Sequence, residues 1–226
     1  MTAAWRRTAA GRRTGAPGVR MLRQAVAALA WLMPAAAAVA APAAGAACGV
    51  PVRFAWVPAD AADPHVGRVD VIEARGGRVV QTIGGVENYY GDAEDGALAA
   101  QDLNNDGCPD LVVTSSVAAI GNRSATVYLY DRGRRRFVYH EGLSTIGDPT
   151  VDDRDPNCVT TSWKGGAEDS YSGRHCWRGG RLVLVSDYSL SPLYDKETGE
   201  FACYEQVETT YVGKRKRVRR KCTKTY

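Results

Sequence analysis

The fold of this chain is decided by the stretch Asp102-Leu103-Asn104-Asn105-Asp106-Gly107-Cys108-Pro109-Asp110. Side-chain oxygens stand at its relative positions 1, 3, 5 and 9, and a glycine stands at position 6. This is the ligand order of a calcium loop, in which alternate residues point inward, the glycine permits a sharp turn and position 7 offers a backbone carbonyl. The sequence therefore predicts Ca²⁺ as a cofactor. The predicted ligands are Asp102, Asn104, Asp106, Asp110 and the carbonyl of Cys108.

The loop leads directly into Leu111-Val112-Val113, an apolar and β-branched run that predicts a strand. Val113 occupies position 12, where an EF-hand loop carries a bidentate Glu, and no helical pattern flanks the loop. We therefore interpret the stretch as a metal-clipped entry into a strand rather than as an EF-hand. The alternative is an Asx-rich turn that binds no metal.

The chain beyond residue 48 consists of short alternating runs separated by turn residues, as in antiparallel hairpins. Helical periodicity is absent there, apart from a possible turn near Ala97–Ala100. The pattern predicts a single all-β domain over residues 48–226, either propeller-like or sandwich-like. The predicted strands are 52–57, 69–74, 79–83, 111–116, 126–130, 137–140, 159–163, 175–177, 182–185, 201–212 and 216–225.

Residues 1–47 carry six arginines, no acidic residue and many alanines. An apolar run from Ala25 to Met33 is followed by Ala38-Val39-Ala40, a small-x-small cleavage site. This organisation is typical of a secretory signal peptide, and the apolar run is too short for a stable membrane span. Met21 is well placed as the start of translation. We expect a periplasmic or secreted protein. A lipoprotein anchored through Cys48 is the weaker alternative, because no leucine stands three residues before that cysteine.

All six cysteines lie beyond the signal, and their even number predicts three disulfides in an oxidising compartment. Cys203 and Cys222 are nearly equidistant from the turn at Val212-Gly213, so paired strands would bring them together. Cys158 and Cys176 flank a long connection in the same manner, and elimination leaves the first two cysteines. Other pairings of six cysteines stay possible. The predicted set is Cys48–Cys108, Cys158–Cys176 and Cys203–Cys222.

The formal net charge of +4 combines two opposite parts. Without the six arginines of the signal, 23 basic residues face 25 acidic ones, and eight of the basic ones lie between Lys214 and Lys224. The rest of the domain therefore has a net charge of −10, next to a strongly basic C-terminal hairpin. This hairpin predicts contact with an anionic cell-envelope polymer or lipid. The alternative is a charged edge strand that resists edge-to-edge pairing. The secretion signal argues against a nucleic-acid partner.

No catalytic constellation is visible in the sequence. The three histidines, His65, His140 and His175, lie on different predicted elements, and neither HExxH nor GxSxG occurs. Acidic pairs at 94–95 and 168–169 have the residue types of glycoside hydrolases, but nothing places them about 5–10 Å apart. We therefore predict that the protein is not an enzyme.

The connection at 164–174 is rich in Gly, Ser and Tyr and lies between Trp163 and Trp177. A loop closed at its base by a disulfide loses little entropy on binding, and tyrosine is a favoured anchor at interfaces. We therefore predict a protruding recognition loop. The alternative is a long hairpin connection built of turn-forming residues. The candidate recognition residues are Glu168, Asp169, Ser170, Tyr171, Ser172 and Gly173.

Four features follow one another between residues 68 and 190. They are a hairpin ending in Gln81-Thr82-Ile83, the loop at 102–110, a hairpin that joins 128–131 to 134–140, and the glycine-rich loop before His175. In this order of features the chain resembles bacterial periplasmic immunity proteins against lysozyme-like effectors of type IV secretion, which are relatives of the I-type lysozyme inhibitors.

The resemblance implies an all-β inhibitor that inserts a loop into the active-site cleft of a lysozyme-like peptidoglycan hydrolase. I-type inhibitors carry a Ser-Gly-x-x-Tyr loop, whereas Cys176 follows Ser172-Gly173 at that spacing here. Tyr171 precedes the Ser-Gly pair and is the expected aromatic anchor, with Glu168 or Asp169 pairing with a cationic enzyme. The alternative function is a calcium-stabilised adhesion module that binds a glycan or a protein.

Overall fold

The computed structural model describes Cys48, residues 51–91 and residues 97–225. The expected signal peptide, residues 1–47, lies outside the described residues. The described chain is all-β, with thirteen strands in three antiparallel sheets and one short helix. The strands are β1 (Val52–Asp60), β2 (Asp63–Glu73), β3 (Val79–Glu87), β4 (Leu98–Gln101), β5 (Asp110–Val117), β6 (Arg123–Asp131), β7 (Arg136–Tyr139), β8 (Thr150–Val151), β9 (Cys158–Lys164), β10 (Ser170–Arg178), β11 (Arg181–Tyr194), β12 (Phe201–Val212) and β13 (Arg215–Thr223), and the helix is α1 (Glu141–Ser144).

Two of the sheets share a first hydrophobic core. The three-stranded sheet has the order β1-β2-β3, and the four-stranded sheet has the order β4-β5-β6-β7. Because alternate residues of a strand point to opposite faces, Leu111 and Val113 of β5 turn toward this core and Val112 turns away. The buried members of the core are Val69, Val71, Ile83, Val86, Leu111, Val113, Tyr128 and Phe137.

The opposite face of the four-stranded sheet carries a second core, which β9 of the six-stranded sheet joins. That sheet has the order β13-β12-β11-β10-β9-β8. The four-stranded sheet therefore has apolar side chains on both faces, and the sandwich-like alternative for the fold is confirmed. The buried members of the second core are Leu103, Val112, Ala125, Val127, Leu143 and Val159.

All three predicted disulfides are present. Two of them lie within the six-stranded sheet, where Cys158 and Cys176 are directly opposite each other on β9 and β10. Cys203 and Cys222 join β12 to β13 on a diagonal, since the register places Cys222 opposite Glu205. The third, Cys48–Cys108, ties the segment before β1 to the predicted calcium loop.

Two side-chain amides take the place of a neighbouring strand at sheet edges. Gln81 of β3 donates from Nε2 to the carbonyl oxygen of Phe137 (2.8 Å) and accepts from the N–H of the same residue (2.8 Å). Asn122 makes the same pair of bonds with the backbone of Lys164, at 2.7 and 2.8 Å. Backbone groups of β7 and β9 that a strand would otherwise pair are thereby satisfied.

Two local predictions differ from the structure. The possible helical turn near Ala97–Ala100 is wrong, because Leu98–Gln101 pairs with β5 as strand β4. The short helix α1 was not predicted, since its N-cap is His140, whose Nδ1 accepts from the N–H of Leu143 at 3.0 Å. Histidine is not among the residues that signal a helix start. Within the described part of the chain, no helix is long and apolar enough to cross a membrane.

Candidate functional site

The predicted calcium loop folds as a compact turn held by its own side chains. The Asp102 carboxylate accepts from the backbone N–H groups of Asp106 (3.0 Å) and Gly107 (2.8 Å). Asp106 accepts from the N–H of Cys108 at 2.8 Å, and Asn104 donates from its amide to Asp106 at 3.1 Å. Gly107 has a φ of 82°, so the turn requires the left-handed backbone that glycine adopts without strain.

Asp110 closes the loop from a fully buried position. Its carboxylate accepts from the N–H of Leu103 (2.9 Å) and from the N–H of Tyr130 (2.8 Å). Burial raises the pKa of Asp110 to about 7, and the carboxylates of Asp106 and Asp102 add to this rise against the two N–H donors. A cation in the loop would offset both causes of the raised pKa.

The donor set of the loop suits calcium, since it offers three carboxylates, one amide and one carbonyl. Cys108 contributes only its carbonyl, because its sulfur is bonded to Cys48. The guanidinium of Arg132 donates to the Asp106 carbonyl oxygen and lies 4.0 Å from its carboxylate. Among the described residues, the oxygens of the three carboxylates do not all lie within 4.8 Å of one another. The types of ligand suit calcium, and binding requires the three carboxylate groups to move closer together.

The predicted recognition residues do not form one loop. The connection between β9 and β10 has five residues, 165–169, instead of the eleven expected, because β10 begins at Ser170 and pairs with β9 and β11. In such an interior strand, successive side chains point to opposite faces of the sheet. Tyr171 and Gly173 therefore share one face, while Ser170 and Ser172 lie on the other. The prediction of a protruding loop from 164 to 174 is wrong.

The two acidic residues of the candidate set lie in the turn itself. Glu168 accepts a hydrogen bond from the hydroxyl of Tyr204 at 2.7 Å, which holds it against β12. The carbonyl oxygen of Asp169 accepts from the N–H of Gly165 at 3.1 Å and closes the turn. Tyr204 lies on the same sheet face as Ser170 and Ser172, so the structure separates Glu168 from Tyr171.

Tyr171 and Trp163 are a cross-strand pair of aromatic residues, since the register places Trp163 of β9 directly opposite Tyr171. Both side chains are exposed, at 38% and 41% respectively. Together with Thr161 they form the shared wall of two adjoining hollows of about 380 and 570 Å³. An exposed pair of aromatic rings between two concave surfaces is typical of a recognition site.

Gly173 allows the Tyr171 ring to lie close along β10. A Cβ atom at this position would stand 3.3 Å from the Tyr171 hydroxyl and 3.2 Å from the ring of His175. Nδ1 of His175 is buried without a hydrogen-bond partner among the described residues, and burial lowers the pKa of this histidine. Burial therefore favours the neutral form of His175 beside the aromatic pair.

The carboxylate of Asp187 lies next to the aromatic pair on β11, and it was not among the residues predicted from the sequence. It lies opposite Gly173 across the β10–β11 ladder and accepts from the hydroxyl of Tyr211 at 2.7 Å. Burial, with the Asp187 charge as a smaller cause, raises the pKa of Tyr171. The surface formed by Thr161, Trp163, Tyr171 and Asp187 is called the aromatic face below.

The three histidines occupy separate structural positions. His65 of β2 lies with Nδ1 3.2 Å from the carbonyl oxygen of Asn88. His140 caps α1 and contacts the Trp177 ring, with ring centroids 5.3 Å apart. The described residues also bring Asp155 close to Cys158 and Cys176, but these cysteines are bonded to each other and offer no thiolate.

Comparison with known proteins gives little beyond this geometry. The chain matches no protein-family model and no curated protein. A solved structure, described as a Xanthomonas type IV secretion system related protein, is similar at 18% identity and a TM-score of 0.49. The similarity covers 67% of this chain and 77% of that chain. These values carry no functional argument, which therefore rests on the residues of this chain.

Proposed function

We propose that this protein is a periplasmic or secreted inhibitor, acting as an immunity protein, of a lysozyme-like peptidoglycan hydrolase. The observation that carries the proposal is the exposed Trp163–Tyr171 pair beside the Asp187 carboxylate. The sequence resemblance to periplasmic immunity proteins points to the same class of target. Three disulfides are compatible with an oxidising compartment.

In this proposal the aromatic face enters the substrate cleft of the hydrolase. Hydrolases that bind an anionic cell wall are commonly cationic, so the part of the domain outside residues 214–224, with its net charge of −10, attracts them over a distance. Tyr171 then fills a sugar subsite, and Asp187 pairs with a cationic group of the enzyme. Ser170 and Ser172 line the larger hollow together with Tyr171, and Glu168 and Asp169 contribute at the rim, because they lie in the short turn.

The test of this proposal is a turbidity assay of wall lysis with Tyr171→Ala. We expect inhibition to weaken at least about thirtyfold, the usual loss on truncating a central aromatic anchor. Tyr139→Ala is the matched control, since Tyr139 is a similarly exposed tyrosine on β7. Equal inhibition by the two variants, with unchanged melting temperatures, would remove the aromatic face from the mechanism.

A glycan-binding adhesion module is the second candidate function, because hydroxyl-bearing side chains line the hollows beside the aromatic pair. Thr160, Thr161 and Ser162 of β9 contribute to the larger hollow. The same assay separates the two functions. A protein that leaves several lysozyme families active but binds purified wall glycan through Tyr171 is an adhesion module.

We further propose that the loop at 102–110 binds Ca²⁺ as a structural brace. Saturating calcium should raise the melting temperature by about 5–10 °C, and a chelator should reverse this. Asp106→Ala should abolish the calcium-dependent shift, whereas Asp153→Ala, which removes a carboxylate from an exposed turn, should retain it. If Asp106→Ala abolished inhibition without changing stability, the loop would have a direct role in binding.

A further inference from the structure

The outermost strand of the six-stranded sheet carries an unusual density of positive charge. β13 lies at the end of the sheet order, and six of its nine residues are Arg or Lys. Lys214, in the preceding turn, adds a seventh cation. The charge is therefore concentrated on one hairpin, β12–β13, whose end is marked by Gly213 and Lys214.

Four of these cations stand in a row on one face of the hairpin. Alternate residues of a strand share a face and lie about 6.7 Å apart, so the row is about 20 Å long. The register places Gln206, Glu208, Thr210 and Val212 opposite it, with one carboxylate against four cations. None of the four has an ion-pair partner among the described residues. This basic row consists of Arg215, Arg217, Arg219 and Lys221.

The cations on the other face of the hairpin are partly compensated, unlike those of the basic row. There Arg220 forms an ion pair with Glu205 at 2.9 Å, so its charge is already partly compensated within the protein. Val218 lies between Lys216 and Arg220 on this face. The uncompensated charge of the hairpin thus lies on the basic row and at the turn.

An apolar side chain is exposed where the hairpin turns. Val212 is 70% exposed, the largest value among the large apolar side chains that the structure describes. It lies opposite Arg215, beside Gly213, whose φ of 60° makes the tight turn. The tip therefore presents one apolar side chain with cations around it.

We propose that the β12–β13 hairpin docks on an anionic phospholipid surface, with Val212 at the interface and the basic row on the headgroups. Arginine and lysine stems lie along apolar surface while their charges reach phosphate, and arginine binds phosphate with two parallel hydrogen bonds. The part of the domain outside residues 214–224, with a net charge of −10, is repelled by the same surface. The hairpin alone therefore makes the contact, and the aromatic face is left free.

An acidic polypeptide is a less suitable occupant of the hairpin. Arg215, Lys216, Arg217 and Arg219 line one hollow of about 510 Å³, but Val212 and Glu208 line it too. An acidic chain has no use for the exposed valine and would be repelled by the carboxylate. Positive charge on an edge strand can also serve only to hinder edge-to-edge pairing of sheets, and that role predicts no binding to lipid. Binding to anionic vesicles therefore separates lipid docking from protection of the sheet edge.

The test is sedimentation of the full chain, with its three disulfides intact, in the presence of lipid vesicles. We expect binding to vesicles of mixed phosphatidylcholine and phosphatidylglycerol, none to phosphatidylcholine alone, and loss of binding with added salt. The triple variant Arg215→Gln, Arg217→Gln, Arg219→Gln should bind about a hundredfold more weakly. The single variant Val212→Ser should also bind more weakly than wild type, but the salt dependence of its binding should be unchanged.

The matched control is Arg134→Gln, Arg135→Gln, Arg136→Gln, which removes the same formal charge from the turn between β6 and β7 and from the first residue of β7, and should bind normally. Absence of binding to the anionic vesicles, or equal loss in both triple variants, would overturn the proposal. Binding of wild type to polyglutamate but not to vesicles would also overturn it and would assign the basic row to an acidic polypeptide. The readout needs no hydrolase, so it does not depend on the proposed inhibition.

Discussion

Gly173 sets how closely the rings of Tyr171 and His175 approach β10. A side chain at this position would have to displace one of them, because its Cβ lies only 3.2–3.3 Å from both and from the Thr161 methyl. All three neighbours are side-chain atoms that can move. The glycine therefore matters more for the position of the aromatic face than for the stability of the strand.

Gly173→Ala tests this role. We expect inhibition to weaken several-fold while the free energy of unfolding changes by no more than about 1–2 kcal/mol, since overpacking is partly offset by the lower backbone entropy of alanine. Near-ultraviolet circular dichroism should report the altered Tyr171 and Trp163 rings. Gly84→Ala is the control, because Gly84 has open space around it and an ordinary φ. Identical spectra for the two variants would contradict the role of Gly173.

His140 makes stability depend on pH through the cap of α1. Burial lowers its pKa below the ordinary value of 6.5, so the unfolded chain takes up the proton first as pH falls. Stability from the neutral ring is present above about pH 6.5 and is lost on acidification. Protonation also removes the acceptor for the Leu143 N–H.

His140→Asn keeps a side-chain acceptor at the cap and does not titrate, so it should lose less stability than wild type between pH 8 and about pH 5.5. Asp110, with its pKa raised to about 7, titrates in the same range with the opposite sign. Urea unfolding of both proteins should therefore be compared at each pH. A constant difference between them would show that the pKa of His140 is not lowered by folding.

At the scale of elements, the amide of Gln81 holds β7 at the edge of the four-stranded sheet. Gln81→Ala would leave the N–H and the carbonyl of Phe137 unpaired, at a cost of about 1–3 kcal/mol in the free energy of unfolding. Hydrogen exchange at the Phe137 amide should accelerate. Gln206→Ala is the control, since its amide makes one long contact of 3.4 Å to Thr223. An equally large loss of unfolding free energy in Gln206→Ala would show that the effect does not depend on the bonds between Gln81 and Phe137.

Elements defined by local sequence were predictable, and those that depend on register were not. The hairpins and two of the disulfides follow from symmetry about a connection, as with Cys203 and Cys222 around Gly213, and elimination leaves Cys48–Cys108. The extent of β10 did not follow, because Gly, Ser and Tyr are as compatible with a loop as with a polar strand. Asp187 was missed for a related reason, since an irregularity in the β10–β11 register after Arg174 shifts the pairing and thereby the face on which it lies.

At the scale of the whole molecule, the packing of three sheets could not be read from the sequence. Each strand shows an apolar pattern, but the pattern does not say which sheet covers which face. The continuous run Leu111–Val113 was the one sign of a sheet buried on both sides, and the structure places it in the central four-stranded sheet.

The disulfides should differ in their effect on global stability. Cys48–Cys108 spans 60 residues, whereas Cys203–Cys222 spans 19. The entropy of loop closure gives about 4 kcal/mol for the first and about 3 kcal/mol for the second. Double Cys→Ser variants should follow this order in reversible urea unfolding. The reverse order would show that the Cys48 segment retains its place without a covalent bond.

Each disulfide joins a cysteine to the next cysteine along the chain. When the polypeptide emerges with its N-terminus first, the next thiol to appear after Cys48 is its native partner. The same holds for Cys158 and Cys203. Oxidation that keeps pace with emergence produces the native set directly, without thiol–disulfide exchange among wrong pairs. We therefore expect oxidative folding of this protein to need an oxidant but no isomerase.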